Sequence, residues 1–288
     1  MEIAELRQGL AASGYLADDG LATALFLAVE LGQPLLLEGE PGVGKTAAAQ
    51  ALATTVDTAL IRLQCYEGLT AAEAIYEWNY PRQLLAIRLA ESRGVTLAEA
   101  DLFGPDYLLS RPLLAAIEHP GPRPAVLLID EVDRADDEFE AFLFELLGEG
   151  SVTIPELGTR RARHRPIAIL TSNRTRDLHD ALKRRCLYHY ITYPDPQRVA
   201  AIIRSRVPGA SQAVADRVAA SVQRLRELDL TKPPGVAEAI AWSGALLALG
   251  MSTWDATLAD RTLGAVLKYD EDFAVAREAG WDKDLDGA

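Results

Sequence analysis

The stretch Leu35-Leu36-Leu37-Glu38-Gly39-Glu40-Pro41-Gly42-Val43-Gly44-Lys45-Thr46 decides how the rest of this chain is read. Three leucines make a short apolar run that stops at a glycine-rich turn, as a strand buried in a parallel sheet does. Gly39, Gly44, Lys45 and Thr46 meet the pattern G-x-x-x-x-G-K-[ST]. Glycines let backbone N–H groups turn inward around a phosphate without side-chain clash. The alanine-rich segment from Thr46 to Thr54 follows directly and reads as a helix, whose positive end faces the same anion. Lys45 has the reach for β- and γ-phosphates, and the Thr46 hydroxyl can ligate magnesium. With a strand before it and a helix after it, the pattern makes Glu40, Pro41, Gly42, Val43, Gly44, Lys45, Thr46 and Ala47 the expected nucleotide contacts.

Working outward, Gly20 to Leu31 is apolar all round and reads as a buried helix ended by Gln33-Pro34. Further strands are expected at Ala59 to Leu63, Ala125 to Ile129, Ile167 to Leu170 and Tyr188 to Ile191. A mostly helical stretch is expected from Thr70 to Ser92, with apolar spacing at Ile75, Trp78, Leu84, Leu85, Ile87 and Leu89, and a helix from Asp137 to Leu147 that stops at Gly148. Alternating strands and helices imply a parallel five-stranded sheet flanked by helices, an α/β fold. The pattern changes at Tyr193-Pro194-Asp195-Pro196, beyond which helices are expected at Gln197 to Val207, Ser211 to Leu228, Val236 to Leu249 and Ser252 to Lys268. The expected division is a nucleotide-binding core over 1–193 and a small all-helical domain over 194–288, with Asp282 to Ala288 fraying.

The 288 residues are 49% hydrophobic, enough for a sizeable core. A net charge of -13 argues against non-specific binding to nucleic acid or to anionic membrane as the main activity. Cys65 and Cys186 stand far apart, and the four histidines lack ligand spacing, so neither a disulfide framework nor a zinc site follows. The N-terminus lacks the layout of a signal peptide, and the longest apolar stretch, near Ala239 to Met251, falls short of a membrane span; a cytoplasmic protein is expected.

A second motif is the apolar strand ending in Asp130-Glu131. Asp130 is placed to hold the magnesium shell, and Glu131 to polarise a water for attack on the γ-phosphate. Thr171-Ser172-Asn173 follows the fourth strand, where ligands of parallel sheets bind. Asn173 fits two readings, a contact to the attacking water or γ-phosphate and a turn-forming residue. Arg184-Arg185 likewise fits an arginine supplied to a neighbouring subunit's phosphates or a solvated basic helix end. Cys186 beside these arginines reads as a buried thiol, with a lowered pKa as the alternative. Arg160-Arg161-Ala162-Arg163-His164-Arg165 is strongly basic and follows a possible hairpin at Ser151 to Pro155. Nucleic acid, an acidic partner and a neighbouring subunit are its functional readings; a solvated loop offsetting Asp133, Asp136, Asp137, Glu138 and Glu140 is the bland one.

Taken in order, these residues resemble an AAA+ ATPase, and the phrases around Leu37 to Thr46, Leu128 to Ala135 and Ile169 to Asn173 are most similar to its MoxR family. Leu63 to Gly68 with Tyr76-Glu77-Trp78-Asn79-Tyr80 resembles the CoxD-type branch. The resemblance implies ATP and magnesium as cofactors, with Lys45, Thr46 and Asp130 holding phosphate and metal. It further implies Glu131 as the catalytic base, Asn173 as sensor 1, Arg185 as the finger acting in trans, and the helices after Pro194 as a lid. It also implies a homo-oligomeric, hexameric ring, a partner bearing a von Willebrand A domain, and a client metalloenzyme such as a molybdenum-containing carbon monoxide dehydrogenase. One departure is the absence of a sensor-2 arginine in Lys232-Pro233-Pro234-Gly235-Val236, where Lys232 is the candidate substitute. The rival classes are a P-loop kinase or phosphotransferase and a nucleotide-gated nucleic-acid-binding module. A GTPase is disfavoured by the lack of an Asn-Lys-x-Asp signature.

Overall fold

The computed structural model describes residues 1–251 and 253–282, so all of the acidic end except Asp282 lies outside the described residues. Nine strands are β1 (Leu35–Gly39), β2 (Leu60–Gln64), β3 (Tyr76–Trp78), β4 (Leu108–Ser110), β5 (Val126–Asp130), β6 (Ser151–Ile154), β7 (Gly158–Arg161), β8 (Ile167–Ser172) and β9 (Leu187–Ile191). Five of them form the expected sheet, in the order β2-β5-β8-β1-β9, and the pairs β2–β5, β5–β8 and β1–β8 run parallel. Every residue of β1, β5 and β8 is buried, as their unbroken apolar runs require of strands covered on both faces. β2 lies at the edge, and there Arg62 and Gln64 are exposed.

The chain divides into two compact units. The first comprises Met1–Leu6, Asp18–Glu38 and Ala49–His189. Its core joins Leu36, Leu127, Ile129, Leu170 and the flanking side chains Leu113, Leu114, Phe139 and Leu143. The helix Asp19–Leu31 starts where the Asp18 carboxylate accepts the Leu21 N–H at 2.7 Å, and stops at Gly32 with φ 61°. The helix Asp137–Glu149 passes through Gly148 and ends at Gly150, because the left-handed stop with φ 64° falls there.

The stretch from Thr70 to Ser92 is not one helix. A Thr70–Glu73 capping box opens the short helix Ala71–Ile75, β3 then pairs antiparallel with β4, and Asn79 caps a second helix, Tyr80–Ser92. Trp78 packs edge-on against Tyr76 and Phe103, with centroids 5.7 and 5.1 Å away. The contact with Phe103 and the ladder to β4, both far along the chain, override the local helical spacing. Ile75 and Trp78 are buried as expected, whereas Leu84, Leu85 and Leu89 are 60%, 57% and 46% exposed.

The second unit comprises Arg7–Ala17, Gly39–Ala48 and the chain from Tyr190 onward. Its helices include Pro196–Arg206, Gln212–Arg226 and Val236–Ala248, at the expected places. The expected helix from Ser252 to Lys268 is instead Ala256–Arg261 followed by a 3-10 turn, Leu263–Ala265; Ser252 itself lies outside the described residues. The Thr262 hydroxyl accounts for the break, donating back to the Leu258 and Ala259 carbonyls while accepting the Trp242 indole N–H at 2.8 Å. One more helix, Asp270–Ala279, has an acidic first turn and a left-handed stop at Gly280, and lies outside the expected set.

Trp242 is fully buried, with Trp254 and Trp281 at centroid distances of 6.0 and 5.7 Å. Trp242→Ala is expected to destabilise this unit by about 3–5 kcal/mol, measured by urea unfolding followed by far-UV circular dichroism. A loss under about 1 kcal/mol would show that the three tryptophans do not anchor the core.

Candidate nucleotide site

The carboxyl ends of parallel strands face the same way, and the register brings Gln64 beside Asp130 and Glu38 beside Ser172. One edge of the sheet therefore collects Gln64, Asp130, Glu131, Thr171, Ser172 and Asn173 from β2, β5, β8 and the turns after them. This is the edge at which open parallel sheets bind ligands. Gly39, the start of the glycine-rich loop, directly follows Glu38 in the chain.

Asp130 is only 2% exposed, so its charge needs partners. Thr171 donates its hydroxyl to Asp130 Oδ1 at 2.6 Å, and Arg62 holds Oδ2 at 2.6 Å. The same Thr171 oxygen accepts the Glu131 N–H at 2.9 Å. Glu131 has φ 55° and ψ 51°, a left-handed conformation that costs energy for a residue with a Cβ and concentrates at functional positions. Its carboxylate accepts from the Gln64 amide at 3.1 Å and from the Asn173 amide at 3.5 Å. Asp133, also buried, accepts the N–H groups of Asn173 and Thr175 at 3.2 and 2.9 Å, which pins the turn carrying Asn173. Asp130, Glu131 and Asn173 thus converge, and the turn-forming role of Asn173 coexists with its contact to Glu131.

Arg62, Gln64, Thr171 and Asp133 are functional neighbours that motif reading passes over. One signal was available: Arg62 and Gln64 are polar residues two apart at the end of an otherwise apolar strand, and so share a face.

The loop belongs to the second unit. Gly39 needs to be glycine, because a Cβ there would lie 2.4 Å from the Ile191 carbonyl oxygen. Gly42, at φ 81°, would put a Cβ 3.1 Å from Gly235 Cα. Lys45 is 6% exposed and donates to the Gly39 and Glu40 carbonyls at 2.7 and 2.8 Å. The loop is thereby held in a closed curl, and the eleven-residue helix Lys45–Thr55 starts from it. Pro41, Val43, Thr46 and Ala47 complete the curl.

The helical segments of this unit grip the loop at two points. The Val236 N–H donates to the Gly42 carbonyl at 3.1 Å. Arg226 meets Glu40 Oε2 at 2.5 Å, donates to the Pro234 carbonyl at 2.8 Å and stacks over the Tyr193 ring at 3.8 Å. Burial pushes the Tyr193 phenol up to about 12, so the ring under Arg226 stays neutral at physiological pH. Lys232 is exposed and offers its backbone N–H to Asp272, whereas Arg226 is a cation of this unit that meets the loop.

Arg184 and Arg185 follow the short helix Asp180–Lys183, and both are exposed. Arg185 stacks over Phe144 at 4.7 Å. Burial pushes the Cys186 thiol up to about 12, so the neighbouring arginines do not make it a thiolate at neutral pH. Cys65 is also pushed up to about 12, first by burial and then by the charges of Asp130, Asp133 and Glu131. The first two residues of the basic cluster, Arg160 and Arg161, sit on a hairpin, β6–β7. Arg160 and Arg161 pair with Glu118 and Glu149, and it is Arg176 that reaches Asp137 and Glu140.

A family model for the AAA domain (dynein-related subfamily) matches residues 34–186, spanning the loop, the acidic strand and Asn173. The chain belongs to this AAA family. The fold is similar to that of RuvB, the Holliday junction branch migration motor of Thermotoga maritima, at 16% identity and a TM-score of 0.50, over 93% of this chain and 71% of that one. Two single-substitution variants of RuvB match with TM-scores of 0.52 and 0.51, at 16% and 18% identity, over 95% and 88% of this chain and 73% and 69% of theirs. At such identities the likeness is one of fold. No curated protein sequence matches the chain. The AAA protein is thus a P-loop nucleotide-binding chain with the AAA+ fold, and none of its described helices is long and apolar enough to cross a membrane.

The donor chemistry suits magnesium, a hard ion that takes one or two protein oxygens and fills its shell with phosphate and water. A buried carboxylate, Asp130, and a hydroxyl, Thr46, are oxygen donors of that kind. No cluster of three or more His, Cys, Asp or Glu side chains able to hold a metal occurs among the described residues.

Because hydrogen bonds to charged groups contribute about 1.5–3 kcal/mol, Arg226→Ala should raise amide hydrogen exchange across 40–46 by about tenfold or more. Unchanged exchange would mean that Arg226 does not secure the loop.

Proposed function

We propose that this AAA protein hydrolyses ATP within a ring of its own copies and uses the cycle to remodel a client protein. The observation that carries the reading is the Asp130-Glu131 pair, in which Glu131 has a strained left-handed backbone and its carboxylate is held by amides from the end of β2 and the turn after β8. Such an arrangement pre-orients a base before substrate arrives.

In this reading residues 1–193 form the catalytic core and 194–288 the lid. Glu40 to Ala47 wrap the phosphates, Lys45 neutralises charge on them, and Thr46 and Asp130 hold the metal. When bound there, magnesium would offset negative charge on the phosphates. Glu131 takes the proton from the attacking water, and Asn173 orients that water and the γ-phosphate. Arg185 leaves its perch on Phe144 to reach the nucleotide of a neighbouring copy, and its exposure supports that role. Arg226 takes the place of the missing sensor-2 arginine, supported by its grip on Glu40. Ring states that differ in affinity for ATP and ADP would then drive the client's motion.

The client rests on the resemblance to the CoxD-type branch of the MoxR family, in Leu63 to Gly68 and Tyr76 to Tyr80. It is a cytoplasmic metalloenzyme of the molybdenum hydroxylase kind, engaged with a von Willebrand A partner.

Glu131→Gln is the decisive variant. It should bind ATP with wild-type affinity and lose hydrolysis by about 10²–10⁴-fold, the contribution of a positioned general base. Locked in the ATP state, it should also retain the partner and client on affinity capture from the native cell. Normal turnover sinks the catalytic assignment; capture of neither protein sinks the maturation role and leaves the ATPase standing.

A further inference from the structure

Asp130 brings a counter-cation of its own. Arg62, two residues before the end of β2, places Nη2 2.6 Å and Nε 3.0 Å from the same oxygen, Asp130 Oδ2. The other carboxylate oxygen is taken by the Thr171 hydroxyl at 2.6 Å. The Asp130 side chain is 3% exposed, while that of Arg62 is 52% exposed. A buried carboxylate is costly without a compensating charge, whereas a half-exposed guanidinium loses little by swinging into water. The two partners are therefore unequal, with Asp130 fixed and Arg62 free to leave.

Arg62 makes one more contact. Its Nη2 lies 2.5 Å from Gln64 Oε1, and the Gln64 amide donates to Glu131 Oε2 at 3.1 Å. A continuous path of hydrogen bonds runs Asp130, Arg62, Gln64, Glu131, all within the first unit.

We propose that Arg62 is a resident stand-in for the metal, a positioning residue that neutralises Asp130 in the metal-free chain and must release it before a divalent cation can bind. The inference rests on the reading of Asp130 as the metal-holding carboxylate. Two cations on one oxygen repel each other, so Arg62 and the metal compete for Oδ2. When Arg62 withdraws, Gln64 Oε1 loses its guanidinium partner, and the amide that holds Glu131 is released to reorient. Occupancy of Asp130 is in this way reported to the catalytic base along two residues of one strand.

The test uses the full chain, as wild type, Arg62→Ala and Arg62→Lys, with a fluorescent methylanthraniloyl-ADP so that hydrolysis plays no part. Nucleotide binding is titrated with magnesium chloride, and affinity is also measured in EDTA. Removing a half-exposed competitor should lower the half-saturating magnesium concentration by about three- to fivefold, with affinity in EDTA unchanged. Arg62→Lys, which keeps the charge but loses the fork, should shift it in the same direction by less. In EDTA without nucleotide, Arg62→Ala should lower the Tm, and magnesium with ADP should restore it to the wild-type level. Should Arg62→Ala fail to fold by circular dichroism, the lysine variant decides on the same midpoint. An unchanged or raised midpoint in the folded variant overturns the inference alone. A wild-type chain that binds no nucleotide at any magnesium concentration overturns it together with the reading of the site.

Discussion

A single buried charge organises the carboxyl edge of the sheet in this protein. β5 is apolar and fully covered until its last residue, and there Asp130 is set among apolar neighbours with almost no access to water. An isolated carboxylate in such a place would be neutralised or expelled. It persists because Thr171 from β8 and Arg62 from β2 satisfy its two oxygens from either side. These two strands are the immediate neighbours of β5, so the order β2-β5-β8 is what supplies partners to the acid. The same partners act on Glu131, Thr171 through its hydroxyl oxygen, which accepts the Glu131 backbone N–H, and Arg62 through Gln64. One desolvated group therefore ties three strands into a fixed constellation.

The loop follows a different logic. Its shape is set by backbone crowding, with the Ile191 carbonyl against Gly39 and Gly235 against Gly42. These approaches leave room only for glycine, and they connect the loop to segments about 150 and 190 residues further along the chain. Arg226 adds an ionic contact, to Glu40, and is held in turn by Tyr193 and Pro234. Asp272 ties down the neighbouring backbone at Thr231 and Lys232, so the turn leading to Gly235 is anchored from the Asp270–Ala279 helix. A change of loop conformation on meeting phosphate would be felt at these contacts first, because bistable packing rather than smooth deformation transmits small shifts.

The sheet was legible because its strands are short apolar runs that stop at glycine or acid, and buried parallel strands have no other appearance. The loop was legible because its chemistry is contiguous: eight neighbouring residues contain the whole pattern. What was hidden is non-local. β3 pairs with β4 across some thirty residues, and Phe103, whose ring meets Trp78 edge-on, lies between the two strands in the chain. Arg226 was hidden for the same reason, since nothing near it in sequence marks an arginine at a helix end as the partner of Glu40. Lys232 looked the better candidate by position, yet the sequence could not show that its own backbone is committed to Asp272. Thr262 illustrates a third kind of miss, where one hydroxyl splits an apparently continuous helix by serving an indole and two carbonyls at once.

Glu131 joins these strands of argument. A left-handed glutamate is unfavourable by roughly 1–3 kcal/mol, and nothing in Val126 to Ile129 demands it. The conformation turns the chain sharply after Asp130, so that consecutive carboxylates serve different partners: Asp130 faces Arg62 and Thr171, while Glu131 faces Gln64 and Asn173. An extended Glu131 would instead continue β5, sending its side chain to the face opposite Asp130. The strain thus turns two consecutive carboxylates onto different partners without spacing them in sequence, and the second is enclosed by two amide groups of the same chain.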